Sequence, residues 1–145
     1  MTDTTTQLET IEQTVHIEAS PQTVWTFWTD PARICEWMGI EAELVAETGG
    51  LFRVVLAEGP VMLGEFVELD PPRRLVFTFG WEAGGPDGPM APGSSRVEVT
   101  LKPDGPNTML TLRHELPSTH AADHAKGWAY FVGERLVAYA QEVRS

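Results

Sequence analysis

Residues 61–82 read Val61-Met-Leu-Gly-Glu-Phe-Val-Glu-Leu-Asp-Pro-Pro-Arg-Arg-Leu-Val-Phe-Thr-Phe-Gly-Trp-Glu82, and this stretch decides the fold. Two runs of alternating residues, typical of strands, meet at the Asp70-Pro71-Pro72 corner, which predicts a turn between them. The second run places Phe77, Phe79 and Trp81 at every other position. Because successive side chains of a strand point to opposite faces, the three rings form one row. Such a row either fills a core or lines a hollow.

Two short helices are predicted between a first strand and the rest of the sheet. Residues 11–19 alternate between apolar and polar side chains, as a half-buried strand does. Ser20-Pro21 predicts a helix start, because Ser caps helices well and Pro is tolerated at the first helical position. Thr29 or Asp30 followed by Pro31 repeats this signal for a second helix. The second helix is expected to end near Trp37. Further strands are predicted at 41–46, 51–57, 61–69, 74–81, 96–102 and 110–116.

A long closing helix is predicted after Pro117, with Ser118 or Thr119 as its cap. Its amphipathic stripe recurs at helical spacing and consists of Trp128, Phe131, Val132, Arg135, Leu136 and Tyr139. Gly127 and Gly133 weaken a helix, so they indicate either close packing or room to bend.

The order of these elements predicts an α+β fold with one domain. Consecutive strands joined by short turns form an antiparallel meander, because parallel pairs need long crossovers. We therefore expect a bent antiparallel sheet of six to seven strands wrapped around the long C-terminal helix, with a cavity between them. The domain is expected to span residues 10–145, behind a flexible tail at 1–9. The Gly- and Pro-rich residues 82–94 predict an irregular loop.

Composition excludes several classes of partner. The 145 residues carry 10 basic and 21 acidic side chains, a net charge of -11, which disfavours nucleic acid and anionic lipid. The single Cys35 allows no intrachain disulfide and fits a reducing compartment. The polar start of the chain predicts no signal peptide, and no apolar run approaches the ~20 residues of a membrane span. The expectation is a soluble cytoplasmic protein.

The chain resembles the START/Bet v 1-like (SRPBCC, helix-grip) superfamily. More narrowly, it is similar to bacterial proteins related to the C-terminal domain of the activator of Hsp90 ATPase. The resemblance covers residues 10–142 and rests on stretches that follow one another in the family's order. They are Ala19-Ser20-Pro21 with Val24-Trp25, Thr29-Asp30-Pro31, Trp37, Gly49 to Arg53, Gly64-Glu65, Glu68 to Leu75, Phe77 to Trp81, Ser94 to Val99 and His124 to Trp128.

This resemblance implies the helix-grip fold, an internal hydrophobic cavity and frequent homodimers. It does not imply one activity, because the fold hosts lipid binders, cyclases, hydrolases and co-chaperone domains. The eukaryotic co-chaperone has a separate N-terminal domain that makes much of the Hsp90 contact, and we expect no such domain here.

The aromatic residues predict a cavity for a small hydrophobic or aromatic molecule, with core filling as the other interpretation. The candidate lining residues are Trp28, Trp37, Phe52, Phe66, Phe77, Phe79, Trp81, Val99, Leu112, His114, Trp128 and Phe131.

Catalysis has two candidate residues. His114 lies on an inward strand face and would act as acid or base with Glu82 in an enzyme of cyclase, aromatase or hydrolase type. The plainer interpretation is a buried His114 bonded to a carbonyl or a Trp, with Glu82 solvated. Cys35 is read as a buried structural thiol.

The sequence gives little support for a metal or a cofactor. His120 and His124 have i, i+4 spacing beside Asp123, but two ligands at a helix start are weak evidence for a metal site. We therefore expect neither a bound metal nor a cofactor. The family resemblance instead implies packing or a cavity entrance at His124.

The leading functional hypothesis is a non-enzymatic protein that binds a small hydrophobic molecule and forms a homodimer. The alternatives are the enzyme described above and a partner-binding module that acts on a chaperone.

Overall fold

This computed structural model describes residues 8–57, 59–82 and 93–144. Within them, seven strands form one sheet in the order β1-β7-β6-β5-β4-β3-β2, with every neighbouring pair antiparallel. The strands are β1 Leu8–Ile17, β2 Glu41–Leu44, β3 Leu51–Val55, β4 Val61–Asp70, β5 Arg74–Phe79, β6 Ser95–Asp104 and β7 Asn107–Pro117. Strands β2 to β7 follow chain order, so the predicted meander is confirmed.

Strand β1 is shifted from its predicted range of 11–19, because it runs from Leu8 to Ile17 and so ends two residues before Ala19. It begins at Leu8 because Leu8 and Glu9 continue the ladder opposite Pro117 and Leu116 of β7. Two residues that the sequence assigned to the tail therefore belong to the sheet, while residues 1–7 lie outside the described part. The predicted loop at 82–94 lies mostly outside it too, at 83–92.

Both short helices begin where the sequence predicted. Helix α1 spans Pro21–Thr29, and the Ser20 side chain accepts a hydrogen bond from the Thr23 N–H at its start. Helix α2 spans Pro31–Ile34, where Asp30 accepts from the Ala32 N–H at 2.9 Å. Helix α2 stops three residues before the predicted end at Trp37, because turns continue the chain to Met38.

The long closing helix is present but is not uniform. A 3-10 turn at Ser118–His120 leads into α3 Ala121–Tyr130, a π-helical segment Phe131–Leu136 and α4 Val137–Arg144. Neither Ser118 nor Thr119 caps α3, because the 3-10 turn places His120 at the cap position, without a side-chain cap bond. Gly133 lies in the π-helical segment. In such a segment each backbone hydrogen bond spans five residues instead of four, so the helix is locally wider.

The core lies between the concave face of the sheet and the helices. The Phe52 and Phe77 rings stack at 4.0 Å, and Phe66 packs edge-on against Phe52 at 5.5 Å. A β-bulge after Phe66 shifts the register of β4 against β5 and helps to bend the sheet. These closely packed rings lie next to a pocket that begins at Phe79, at the end of β5. No helix among the described residues is long and apolar enough to cross a membrane.

Candidate functional site

A pocket of about 230 Å³ lies between the end of β5 and helix α3. Its lining residues come from the turn after α2, the end of β3, the start of β4, the end of β5 and one face of the closing helix. They are Met38, Leu56, Met62, Phe79, Trp81, Asp123, His124, Gly127, Trp128 and Phe131. Four of these residues are Phe or Trp and two are Met, so the pocket wall is almost entirely apolar.

A wider groove of about 690 Å³ adjoins the pocket and shares Met38, Leu56 and Phe131 with it. Two large apolar side chains of this groove are exposed, Ile40 at 64% and Tyr130 at 48%. The pocket therefore opens toward an apolar surface on one side.

His114 lies behind the pocket in a chain of hydrogen bonds that runs from Trp128 through His114 and Ser95 to the Phe79 carbonyl. The Trp128 indole N–H donates to His114 Nδ1 at 3.0 Å, and Ser95 Oγ lies 2.8 Å from His114 Nε2. The Ser95 hydroxyl donates to the Phe79 carbonyl at 2.8 Å, so its oxygen is left to accept from His114 Nε2–H. Both ring nitrogens are thus occupied, and the tautomer with the proton on Nε2 is the one that satisfies every partner.

Burial keeps His114 neutral. The residue is fully buried, and desolvation, with a smaller contribution from His124, lowers the pKa of His114 to about 3. A proton on Nδ1 would also remove the acceptor of Trp128. His114 consequently acts here as a fixed hydrogen-bonding centre.

A second Trp-His pair forms the pocket wall itself. The Trp81 indole N–H donates to His124 Nε2 at 3.2 Å, and His124 Nδ1 lies 2.8 Å from the His120 carbonyl, to which it donates. The opposite tautomer is therefore required at His124. Strand β5 ends at Phe79, two residues before the end predicted from the sequence, so this bond joins the segment that follows β5 to helix α3 across one side of the pocket.

The Phe79 ring lies at the centre of both pairs. Its centroid is 4.8 Å from His114, 5.3 Å from Trp81, 5.7 Å from His124 and 6.0 Å from Trp128. Such contacts fix the rings against one another, so the wall is formed before any ligand enters.

The predicted aromatic row divides between core and pocket. Phe79 and Trp81 line the pocket together with Trp128 and Phe131, whereas Trp37 lines the adjoining groove. The remaining candidates are buried in the core without lining either space, and they are Trp28, Phe52, Phe66, Phe77, Val99, Leu112 and His114.

Several lining residues were absent from the sequence prediction. Met38 lies in the turns after α2, where no hydrophobic period reveals which way a side chain points. Leu56 directly follows β3, and its inward position follows from alternation with Phe52 and Val54. Met62 belongs to the predicted β4, and its inward position follows from alternation with Phe66. For Gly127 the sequence predicted either close packing or room for the helix to bend, and the close packing is wrong at this position. A Cβ at Gly127 would meet no atom within 4 Å, so this glycine leaves the pocket open.

Glu82 and His114 are not brought together. The Glu82 side chain is 49% exposed and pairs with Arg53 at 3.3 Å, while His114 is buried and bonded to Ser95 and Trp128. None of the described contacts joins Glu82 to His114. The arrangement therefore offers no acid-base pair of these two residues.

Cys35 lies half-buried in the wall of the groove. Burial, with smaller contributions from Glu36 and Glu41, raises the pKa of its thiol, which disfavours a reactive thiolate. In the described ranges, no group of three or more His, Cys, Asp or Glu side chains is placed to hold a metal ion.

The bent sheet closed around one long helix, with two short helices after the first strand, defines a helix-grip protein. The family model described as "Activator of Hsp90 ATPase homolog 1-like protein" matches residues 18–141. The chain belongs to this AHSA1 family, which confirms the resemblance seen in the sequence. No curated protein matches the sequence significantly.

Solved structures share the fold. An AHSA1-like protein from Rhizobium etli is 36% identical, with a TM-score of 0.71 over 92% of this chain and 82% of that one. DynU16, a protein in the dynemicin biosynthetic locus, is 28% identical with a TM-score of 0.77, and the match covers 91% of this chain but 47% of DynU16. This chain thus spans about half the length of DynU16. The Aha1 dimer from Colwellia psychrerythraea is similar in fold, with a TM-score of 0.68, 17% identity and coverage of 86% of this chain and 90% of that one.

Proposed function

We propose that this protein binds a small, mainly apolar aromatic molecule in the pocket between β5 and α3. One observation carries the proposal: the wall is built of aromatic and thioether side chains whose polar atoms already pair with each other. Trp81 is bonded to His124 and Trp128 to His114, so the wall presents ring surface and few free polar groups. Flat apolar molecules suit such a surface.

The volume indicates the size of the ligand. A cavity of about 150 Å³ holds one benzene ring, so the 230 Å³ pocket has room for one to two fused rings. Substituents would extend past Met38 and Phe131 into the adjoining groove. The occurrence of DynU16 in a biosynthetic locus favours a small-molecule ligand over a macromolecular one.

A binding function is favoured over catalysis by the state of His114. A general base needs a free lone pair near its substrate, and both nitrogens of His114 are occupied by Trp128 and Ser95. Its low pKa also means that the ring is uncharged at neutral pH, and its one N–H, on Nε2, already donates to Ser95.

The test is a titration with the neutral probe N-phenyl-1-naphthylamine, followed by probe fluorescence and by calorimetry. We expect saturable binding with one site per chain. Gly127→Leu places a side chain in the open space of the pocket and should reduce affinity at least tenfold. Ala129→Leu is the matched control, because Ala129 lies exposed on the same helix and does not line the pocket. Equal affinity of both variants, or no saturable binding by the parent protein, would contradict the proposal.

Native mass spectrometry of freshly purified protein provides an independent measurement. A retained small molecule should disappear in the Gly127→Leu variant and persist in Ala129→Leu. Its mass would then identify the ligand directly.

A second candidate function is a protein-binding module that acts on a chaperone. The family description names an Hsp90 ATPase activator, and Ile40 and Tyr130 expose apolar surface along the groove. Stimulation of an Hsp90 ATPase by the protein, reduced by Tyr130→Ala but not by Val143→Ala, would support it. An unchanged ATPase rate at saturating protein would remove this candidate.

A further inference from the structure

We infer that the pocket prefers an aromatic ligand carrying a positive charge, an aromatic amine, over the corresponding aromatic acid. The inference rests on the proposed function and adds the charge of the ligand to it. The pocket wall attracts a cation, offers few hydrogen-bond donors to an anion, and carries a carboxylate at its rim.

The ring surfaces favour a cation. Phe79, Trp81, Trp128 and Phe131 enclose the space, and an ammonium group near an aromatic face is attracted by the ring quadrupole, most strongly by Trp. Met38 and Met62 complete the wall with polarizable sulfur.

The same wall has few donors for an anion. A carboxylate or phosphate needs N–H or O–H donors, and the two indole N–H groups here are directed to His124 at 3.2 Å and to His114 at 3.0 Å. His124 uses its own N–H on the His120 carbonyl. Among the described lining residues there is no Lys or Arg.

Asp123 supplies a negative charge at the rim. It lines the pocket from the first turn of α3 and is exposed. A helix start attracts anions by itself, and the carboxylate of Asp123 offsets that effect at this position. Lys126, on the same helix, is exposed and does not line the pocket. The net charge of -11 attracts cations over a longer range.

Three ligands of one shape test the inference: 2-naphthylmethylamine, 2-naphthylmethanol and 2-naphthoate, which are positive, neutral and negative at pH 7.5. Calorimetry at low salt should show the amine binding roughly tenfold more tightly than the alcohol, and the acid most weakly. Asp123→Asn should reduce the affinity for the amine about fivefold and leave the affinity for the alcohol unchanged.

Glu47→Gln is the matched control, because it removes an equal charge from an exposed residue in the β2–β3 turn that does not line the pocket. Equal affinities of the three ligands, or a preference for the acid, would overturn the charge preference while the binding function stands. An amine preference that survives Asp123→Asn would overturn the role of Asp123. Absence of binding by all three would contradict the proposed function as well as this inference.

Discussion

At the scale of single residues, His114 is held at both ring nitrogens, because each nitrogen has one hydrogen-bond partner that can take only one role. Trp128 can only donate, and Ser95 donates to the Phe79 carbonyl. Helix α3, strand β6 and strand β5 therefore meet at one imidazole. A charged His114 would lose the bond to Trp128 and would be buried without a counter-charge.

A pH dependence of stability follows from His114. Above pH 6.5 the residue is neutral in both the folded and the unfolded chain. Between pH 6.5 and about 3 only the unfolded chain binds the extra proton, so stability falls as the pH falls. The loss from this residue should reach about 2 kcal/mol at pH 5. His114→Gln, which cannot titrate, should lose less stability than the parent protein over this range in urea unfolding.

The exposed His16, 3.4 Å from Asp104, provides the control for this experiment. His16→Gln should leave the difference between pH 7.5 and pH 5 close to that of the parent protein. Parallel pH profiles of the parent and His114→Gln proteins would show that His114 is not the group responsible.

The sequence placed His114 on an inward face, but it did not identify its partners. Ser95 and Trp128 lie 19 and 14 residues away, on different elements, and only the packed fold brings them to the ring. Long-range hydrogen bonds of this kind have no local period. The pairing of Glu82 with Arg53 was missed for the same reason.

At the scale of elements, the close approach of the paired strands β4 and β5 depends on Gly64. A Cβ at this position would lie 1.9 Å from the Thr78 carbonyl oxygen and 2.5 Å from its carbon. Both are backbone atoms, so no side-chain movement relieves the clash. The Gly64-Glu65 pair of the sequence thus has a packing role in the hairpin that carries the aromatic row.

Gly64→Ala should therefore separate β4 from β5 and lower the free energy of unfolding by more than about 3 kcal/mol. Gly127→Ala is the matched control, because a Cβ there meets nothing within 4 Å and alanine favours a helix by up to about 1 kcal/mol. Chemical denaturation should show opposite signs for the two substitutions. A Gly64→Ala protein as stable as the parent would contradict the close approach of the β4 and β5 backbones at Gly64.

Patterns of local origin predicted the elements well, and tertiary effects account for the differences. The caps at Ser20 and Asp30 and the strand alternation are encoded within a few residues. The closing helix packs on β1 and departs from regular α-helix in two places, the 3-10 turn before α3 and the π-helical segment Phe131–Leu136. The spacing of apolar residues in the sequence does not predict these departures.

At the scale of the whole molecule, the excess of acidic side chains opposes folding by mutual repulsion. Most basic residues with a described ion pair offset one or two carboxylates, as Arg74 does with Glu68 and Glu98. Arg53 has three such partners, Glu41 at 3.7 Å, Glu43 at 3.6 Å and Glu82 at 3.3 Å. Its guanidinium is therefore the centre of an acidic surface on β2 and β3.

Added salt should consequently stabilise this protein, because a net charge of -11 repels itself more than its exposed ion pairs attract. The free energy of unfolding at pH 7.5 should rise by about 1 kcal/mol between 0.02 and 0.5 M NaCl. Arg53→Gln should make this rise steeper, since Glu41, Glu43 and Glu82 then face one another without a cation. Arg113→Gln removes an equal charge from a residue whose one ion pair within the described ranges is with Glu12, so it should respond less. A fall in stability with salt, or equal slopes of the two variants, would show that local pairing outweighs long-range repulsion.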